Sequence, residues 1–255
     1  MLDVVKSTYY LSGAERAEGV YRLFVKIAHH YDLINDIQSM GAHRIWKRRL
    51  VAKAEIYRSL KQSLNPQPFH ILDLCSGTGD IAIALAKKRF KVLGVDFSAE
   101  MLEIAEKRAS RLPLSGLEWK ESDVYSLQLP HSSFDLITCA YGLRNLADIP
   151  LAIERIYQWL KPGGIVLFLD FGKPNNVVLK PFFYLYLKLV VPIFGLLLCR
   201  DAKAYSYILD SLEHYPAQKG VDELLRKTGF SETGWDAFVG GTMCLSHATK
   251  PMDFS

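Results

Sequence analysis

The sequence predicts an α/β fold, a central and mostly parallel sheet with helices on both faces. Three observations carry the prediction. From about residue 70 to residue 172, strand-like and helix-like segments alternate at the interval of strand–helix–strand units. The segment "ILDLCSGTGD", residues 71–80, reads as a buried strand that turns through glycines into a helix. The tail, "GVDELLRKTGFSETGWDAFVGGTMCLSHATK", reads as a helix and two strands that pair at the sheet edge, giving a mixed sheet an antiparallel margin. Composition agrees, since 49% hydrophobic and 23% charged residues over 255 positions supply a sizeable core.

Taken in order, residues 15–62 are helical in tendency. Val20, Leu23, Phe24, Ile27 and Ala28 recur at spacings of three and four until "YDLIND" interrupts them. A second helical stretch runs from Ala42 to Leu64, and the prolines of "NPQP" (65–68) stop it. "HILDLCS" is the first strand, "GDIAIALAKKR" a helix, "KVLGVDFS" the second strand and "AEMLEIAEKRASRL" the next helix. "LEWKESDV" gives a short strand and loop, and "FDLITCAYG" another strand. The helix "PLAIERIYQWL" leads through a turn at "KPGG" into the strand "IVLFLDFG". With the two tail strands the sheet has seven.

Residues 177–199, "VVLKPFFYLYLKLVVPIFGLLLC", are nearly all apolar, but Pro181, Lys188 and Pro192 interrupt them. A membrane span needs roughly 20 predominantly apolar residues. The expectation is instead a helical insertion that buries itself against the domain or lines an oily pocket, with contact to a bilayer surface as an addition to either.

The net charge of +4, from 31 basic and 27 acidic residues, is too small to name a partner. The densest basic run, "HRIWKRR" (43–49), suits a solvated helix face, a membrane surface or a nucleic acid. No zinc finger, helix-turn-helix pattern or basic tail supports nucleic acid, which is not expected. Cys75, Cys139, Cys199 and Cys244 are far apart, without CxxC spacing, and read as free thiols in a reducing compartment with no metal site. The start, "MLDVVKSTYY", has no basic segment leading into an apolar run, so a cytoplasmic location is expected.

Gly77 and Gly79 let a ligand approach the backbone at the carboxyl edge of the sheet. A dinucleotide would place its pyrophosphate on the helix N-terminus, and Ala82 satisfies the third small position of that fingerprint. Asp80 argues against it, because a carboxylate at the helix start opposes a phosphate and suits a cation. S-adenosylmethionine carries no phosphate and has an ammonium and a sulfonium. Asp73 and Asp80 are placed to meet its ammonium end, Asp96 in "GVDFS" its ribose hydroxyls, and Asp123 in "SDV" the adenine amino group. Thr78, Phe97, Met101 and Val124 complete the expected cofactor contacts, although Met101 fits the core equally well. Asp80 as a helix cap and Asp96 as a turn closer are the plain alternatives; four acids, each just beyond a predicted strand, are harder to explain that way together.

Four further blocks resemble the ubiquinone/menaquinone biosynthesis C-methyltransferase family, which includes demethylmenaquinone methyltransferases. They are "HYDLINDIQSMGAHRIWKRR" (30–49), "YGLRNLAD" (141–148), "DAKAYSYILDSLEHYP" (201–216) and "GFSETGWDAFVGGTMCLSHATK" (229–250). The resemblance implies a Rossmann-like class I methyltransferase with a helical N-terminal lid over residues 1–66. A cofactor-binding domain follows over 67–255, with an apolar helical insertion at about 175–216. Departures are small: Cys75 and Ser76 replace the usual alanine and glycine, "DFGKP" (170–174) replaces "EFSKP", and Ala140 stands where some members have a serine.

The implied reaction methylates a ring carbon of a reduced prenylated quinol, most directly demethylmenaquinol to menaquinol. The benzoquinol step of ubiquinone synthesis, or another lipid-like phenol, is the alternative. Arg144 is placed to stabilise the quinolate oxygen, Asn145 to hold a water or the second hydroxyl, and Tyr31 with Asp32 to close over the ring. His214 and Tyr205 stand on the substrate side, His214 as the easiest general base. A weak membrane-surface contact at the inner face of the membrane and a homodimer are compatible with this picture. Two other classes stay open on residues alone: a nicotinamide oxidoreductase, and a lipid-binding scaffold subunit of a quinone assembly.

Overall fold

The computed structural model describes residues 39–62, 67–190 and 211–252, together with Gly19, Tyr21, Asn35 and Asp36. Helix α1 is Ala42–Gln62, followed by strand β1 (His70–Leu74), α2 (Asp80–Lys87), β2 (Lys91–Asp96), α3 (Ala99–Ala109), β3 (Leu117–Glu121) and β4 (Phe134–Ala140). Next come α4 (Ile149–Trp159), β5 (Leu160–Phe171), α5 (Leu179–Leu185), α6 (Ala217–Thr228), β6 (Ser231–Phe238) and β7 (Met243–Thr249). The seven strands lie in the order β3-β2-β1-β4-β5-β7-β6, with only β7 antiparallel to its neighbours. β1 pairs with β2 on one side and β4 on the other, so the strand order reverses there, and ligands of open α/β sheets bind beyond such a point.

Both faces of the sheet are covered, and β5 shows how one strand serves two cores. Ile165, Leu167 and Leu169 pack with α1 and α2, while Val166 and Phe168 pack with α4 and α6. The side-chain period of two therefore reads as an unbroken apolar run. Local signals set the helix ends. The Ser98 hydroxyl accepts from the Met101 amide at the start of α3, the Asp148 carboxylate accepts from Leu151 at the start of α4, and α6 stops on Gly229 at φ 104°.

The predicted turn at "KPGG" is a correction. β5 runs through it, and the pairing with β4 slips between Phe134↔Leu160 and Leu136↔Ile165. The extra residues bulge because the Gly163 amide donates to the Lys250 carbonyl and the Lys250 amide to the Gly164 carbonyl, which keeps the segment in the sheet. The insertion begins as α5 and a short π-helical turn, Tyr186–Val190, and Cys199 lies outside the described residues. Among the described residues no helix is long and apolar enough to cross a membrane. The basic run at 43–49 is not one continuous patch. Lys47 pairs with Asp80, Arg44 with Asp36, His43 is buried and Trp46 stacks on Phe238, leaving Arg48 and Arg49 exposed.

Candidate active site

A cleft of about 790 Å³ opens at the carboxyl ends of β1, β2 and β4, lined among others by Gly77, Asp96, Met101, Asp123, Val124 and Asn145. Phe97 lies on its wall, and the ring of Tyr21 packs on Phe97 with centroids 5.6 Å apart. A smaller recess of about 350 Å³ adjoins it, sharing Cys75, Gly77, Ala140 and Tyr141 and adding Lys47, Asp73, Thr78 and Asp80. All ten expected cofactor residues except Gly79 line one of these two spaces.

The two glycines of the turn do different work. Gly77 has φ 53° and no atom within 4 Å of where a Cβ would sit, so its bare face is open to a ligand. A Cβ on Gly79 would stand 2.7 Å from the Trp119 indole and 2.9 Å from Ala105. Gly79 is thus a packing glycine, which corrects the expectation that both make room for the ligand. Cys75 and Tyr141, on the walls of both spaces, hold φ of 53° and 61°, a left-handed conformation costly for side chains of their size.

Asp96, last residue of β2, is 6% exposed and anchors the turn: Oδ2 accepts from the Gly77 amide at 2.7 Å and Oδ1 from Ser98 at 3.0 Å. Burial still raises its pKa, and the Ser98, Gly77 and Phe97 amides oppose the rise. Asp123 accepts from the Tyr125 amide at 2.6 Å. The Tyr125 hydroxyl donates to the Asp148 carbonyl at 2.9 Å and accepts from the Asp148 amide, tying the loop after β3 to the loop before α4.

Asp73 lies within β1, in register with Gly94 and Thr138, and not beyond the strand as expected. It is 1% exposed; Oδ1 accepts from the Thr138 hydroxyl at 2.6 Å, and Oδ2 is buried with no hydrogen-bond partner. Burial pushes this carboxyl up to about 7, eased by the Thr138 and Ser76 hydroxyls and the Ala82 amide and increased by the charge of Asp96. A buried, half-satisfied carboxylate beside a recess fits a ligand ammonium.

Asp80 corrects a second expectation. Its two oxygens are held by Lys47, at 2.5 Å, and by Arg108. Burial raises its pKa, but the two cations outweigh it and hold the carboxyl below its ordinary value. Its charge is committed within the protein. Thr78 is buried, and its carbonyl accepts from Arg108 at 2.9 Å.

Arg144 is a buried member of an ion pair. It is 5% exposed, and its Nη1 donates to Asp170 Oδ1 at 2.7 Å and to the Tyr141 carbonyl at 2.8 Å. The Arg144 amide donates to Asp170 Oδ2 at 3.1 Å, so one carboxylate fixes both backbone and side chain of the loop. Asn145 donates to the Tyr141 carbonyl at 3.1 Å and faces the cleft. His214 is exposed and, with Arg144 and Tyr215, borders a third recess of about 690 Å³ behind the same loop. Tyr31, Asp32 and Tyr205 lie outside the described residues. Sequence reasoning missed Tyr125, Tyr141 and Asp170. Their only signal was position, since each follows or ends a strand at the same edge of the sheet.

A model of the ubiE/COQ5 methyltransferase family matches residues 12–250. The chain belongs to that family. This methyltransferase is 39% identical over 236 residues to a 2-phytyl-1,4-naphtoquinone methyltransferase of Nostoc punctiforme, covering 91% of this chain and 98% of the relative. It is 31% identical over 240 residues to a ubiquinone/menaquinone biosynthesis C-methyltransferase of Pseudoalteromonas translucida, covering 92% of each. Its fold is the Rossmann-like one of class I methyltransferases. The magnesium protoporphyrin IX methyltransferase of Synechocystis, solved with bound S-adenosylhomocysteine, superposes with a TM-score of 0.61 at 15% identity over 91% of this chain and 99% of that one. The methyl donor of this enzyme is S-adenosylmethionine, and the buried Asp73 oxygen and open Gly77 face suit its charge and shape.

Proposed function

We propose that the enzyme methylates a ring carbon of a reduced, prenylated naphthoquinol, converting demethylmenaquinol to menaquinol. The observation that carries this reading is the loop 141–147, which closes the cofactor cleft at its inner end with apolar groups and Asn145. The naphthoquinone named for the 39% relative supports a two-ring acceptor. The ubiquinone/menaquinone name of the 31% relative favours a benzoquinol as the second reading.

S-adenosylmethionine supplies an electrophilic methyl group when bound. Asp96 and Asp123 hold the nucleoside, Met101, Phe97 and Val124 pad it, and Asp73 takes the ammonium. With Gly77 open between them, these residues orient the donor so that the acceptor carbon meets the methyl in line, which contributes much of the rate. Asp170 is a positioning residue: it holds Arg144, and thereby sets Asn145 at the cleft wall. Because Asp170 balances its charge, Arg144 acts through directed N–H donors and not as an unopposed cation. Asn145 orients a quinol hydroxyl. His214 is the one histidine among the described residues lining these three recesses, and it takes the hydroxyl proton, which raises electron density on the adjacent ring carbon.

The prenyl tail needs an apolar path. Val177, Val178, Phe182, Leu185 and Leu189 are 52–86% exposed on and around α5, and Val239 joins them from the β6–β7 turn. In this reading the ridge receives the tail at a bilayer surface. Shortening the α5 segment is then expected to abolish liposome binding, and unchanged binding would remove the ridge from the proposal.

The deciding experiment is transfer of labelled methyl from S-adenosylmethionine to demethylmenaquinol and, separately, to a prenylated benzoquinol lacking the ring methyl, both kept reduced. Product from the naphthoquinol is expected. Product from the benzoquinol alone would install the second reading, and product from neither, with cofactor bound, would end both.

A further inference from the structure

Lys47 lies where an apolar residue belongs. With Leu50, Val51 and Ala54 it forms the i, i+3, i+4, i+7 stripe by which α1 packs on the sheet and α2, and those three are at most 8% exposed. The Lys47 side chain is 13% exposed. Burying an ammonium at such a position is costly unless charge and hydrogen bonds compensate it. One compensating group is visible, Asp80 Oδ2 at 2.5 Å, and it is shared, because Arg108 holds the other oxygen. The ring of Tyr141 lies 5.7 Å from Nζ. An ammonium has three donors, and Asp80 accepts one of them.

The same recess that Lys47 lines contains the buried, partnerless Asp73 Oδ2. A lysine short of acceptors and a carboxylate short of donors thus stand on the walls of one space of about 350 Å³, continuous with the nucleoside cleft through Gly77. Their joint complement is an α-amino acid zwitterion. We infer that Lys47 reads the carboxylate of the methionyl end of the cofactor while Asp73 reads its ammonium. Asp80 then serves as the strut that aims Lys47 across from α2, which explains why an acid at the helix start is spent on two cations. The inference rests on S-adenosylmethionine as donor and adds a selectivity device contributed by the segment preceding the glycine turn.

The test is calorimetric binding, without acceptor, of S-adenosylmethionine and of its decarboxylated form, which keeps the ammonium and sulfonium. The wild-type enzyme is expected to prefer the carboxylated compound by about 10- to 100-fold, the range of a hydrogen bond to a charged group. Lys47→Met is expected to reduce this preference to about threefold or less by weakening S-adenosylmethionine alone, with decarboxylated binding unchanged; Lys47→Arg is expected to retain most of it. Equal losses for both compounds in Lys47→Met would make Lys47 a structural clasp and overturn the inference. Should that variant fail to fold, the wild-type pair still decides, because equal affinity for the two compounds leaves no carboxylate reader. Failure of both compounds to bind wild-type enzyme would sink the cofactor reading itself, a separate outcome.

Discussion

The two ends of the cleft are built on opposite principles. At the nucleoside end, groups are satisfied before any ligand arrives: both Asp96 oxygens accept backbone amides, Asp123 accepts from Tyr125, and Tyr125 is clasped to Asp148. At the inner end, charge is stored. Asp73 is half-satisfied, Lys47 is partly buried with one acceptor, and the Arg144–Asp170 pair is 5% and 2% exposed. The first end is a preformed cradle, closed by the neighbouring pairs Asp96–Ser98 and Asp123–Tyr125 and by ties across 19 and 23 residues, Gly77–Asp96 and Tyr125–Asp148. The second joins positions 26, 33 and 65 residues apart, and it waits for a charged partner.

The largest effect that separates them is expected from Asp170→Ala. It strips the buried Arg144 guanidinium of its neutralising carboxylate, and chemical denaturation should register a loss of about 3–5 kcal/mol. A loss below about 1 kcal/mol would show that the loop is not held by this pair. At the nucleoside end, Asp96→Ala removes the acceptor of the Gly77 and Ser98 amides as well as the ribose contact proposed for it. Cofactor affinity should fall by about 100-fold or more in a titration, two charge-assisted bonds being lost at once.

Asp73 sharpens the comparison through pH. Its folded pKa, about 7, lies above the ordinary carboxylate value of 3.8, so the protonated form is the one the fold prefers. The stability it contributes is complete below the unfolded value, is lost as pH rises through the folded value, and changes little beyond it. A bound ammonium reverses the preference. The rise in melting temperature on adding S-adenosylhomocysteine should therefore be larger at pH 8 than at pH 6, and Asp73→Asn should flatten that difference. The smallest effect expected is from Tyr125→Phe, which cuts the clasp to Asp148 at a cost of about 1 kcal/mol in stability. A larger change in cofactor affinity than in stability would show that the clasp shapes the nucleoside end directly.

The same contrast explains what the sequence disclosed. Seven strands, their alternation with helices and the antiparallel margin follow from periodicity and breakers, which are local. Asp96 and Asp123 were legible because a carboxylate just past a strand end has few other uses. The ion pairs of Asp80 with Lys47 and of Arg144 with Asp170 are not legible in the sequence, because the partners sit on other elements and no spacing rule links them. The "KPGG" segment reads as a turn, since nothing in it shows that Lys250 holds it in the sheet.

Trp119 has a further consequence. Opposite it in register, a Cβ on Gly94 would stand 2.4 Å from the indole, and one on Gly79 at 2.7 Å. Three positions on three different elements therefore share one volume, and the order in which they change matters. Gly94→Ala should be disruptive in the parent chain and tolerated once Trp119 has become a smaller residue, whereas shrinking Trp119 first leaves a void that a methyl at position 94 can partly refill. A glycine requirement that looks like a property of the turn is in this protein a debt to a side chain on the edge strand, and a lineage can leave it only by one mutational route.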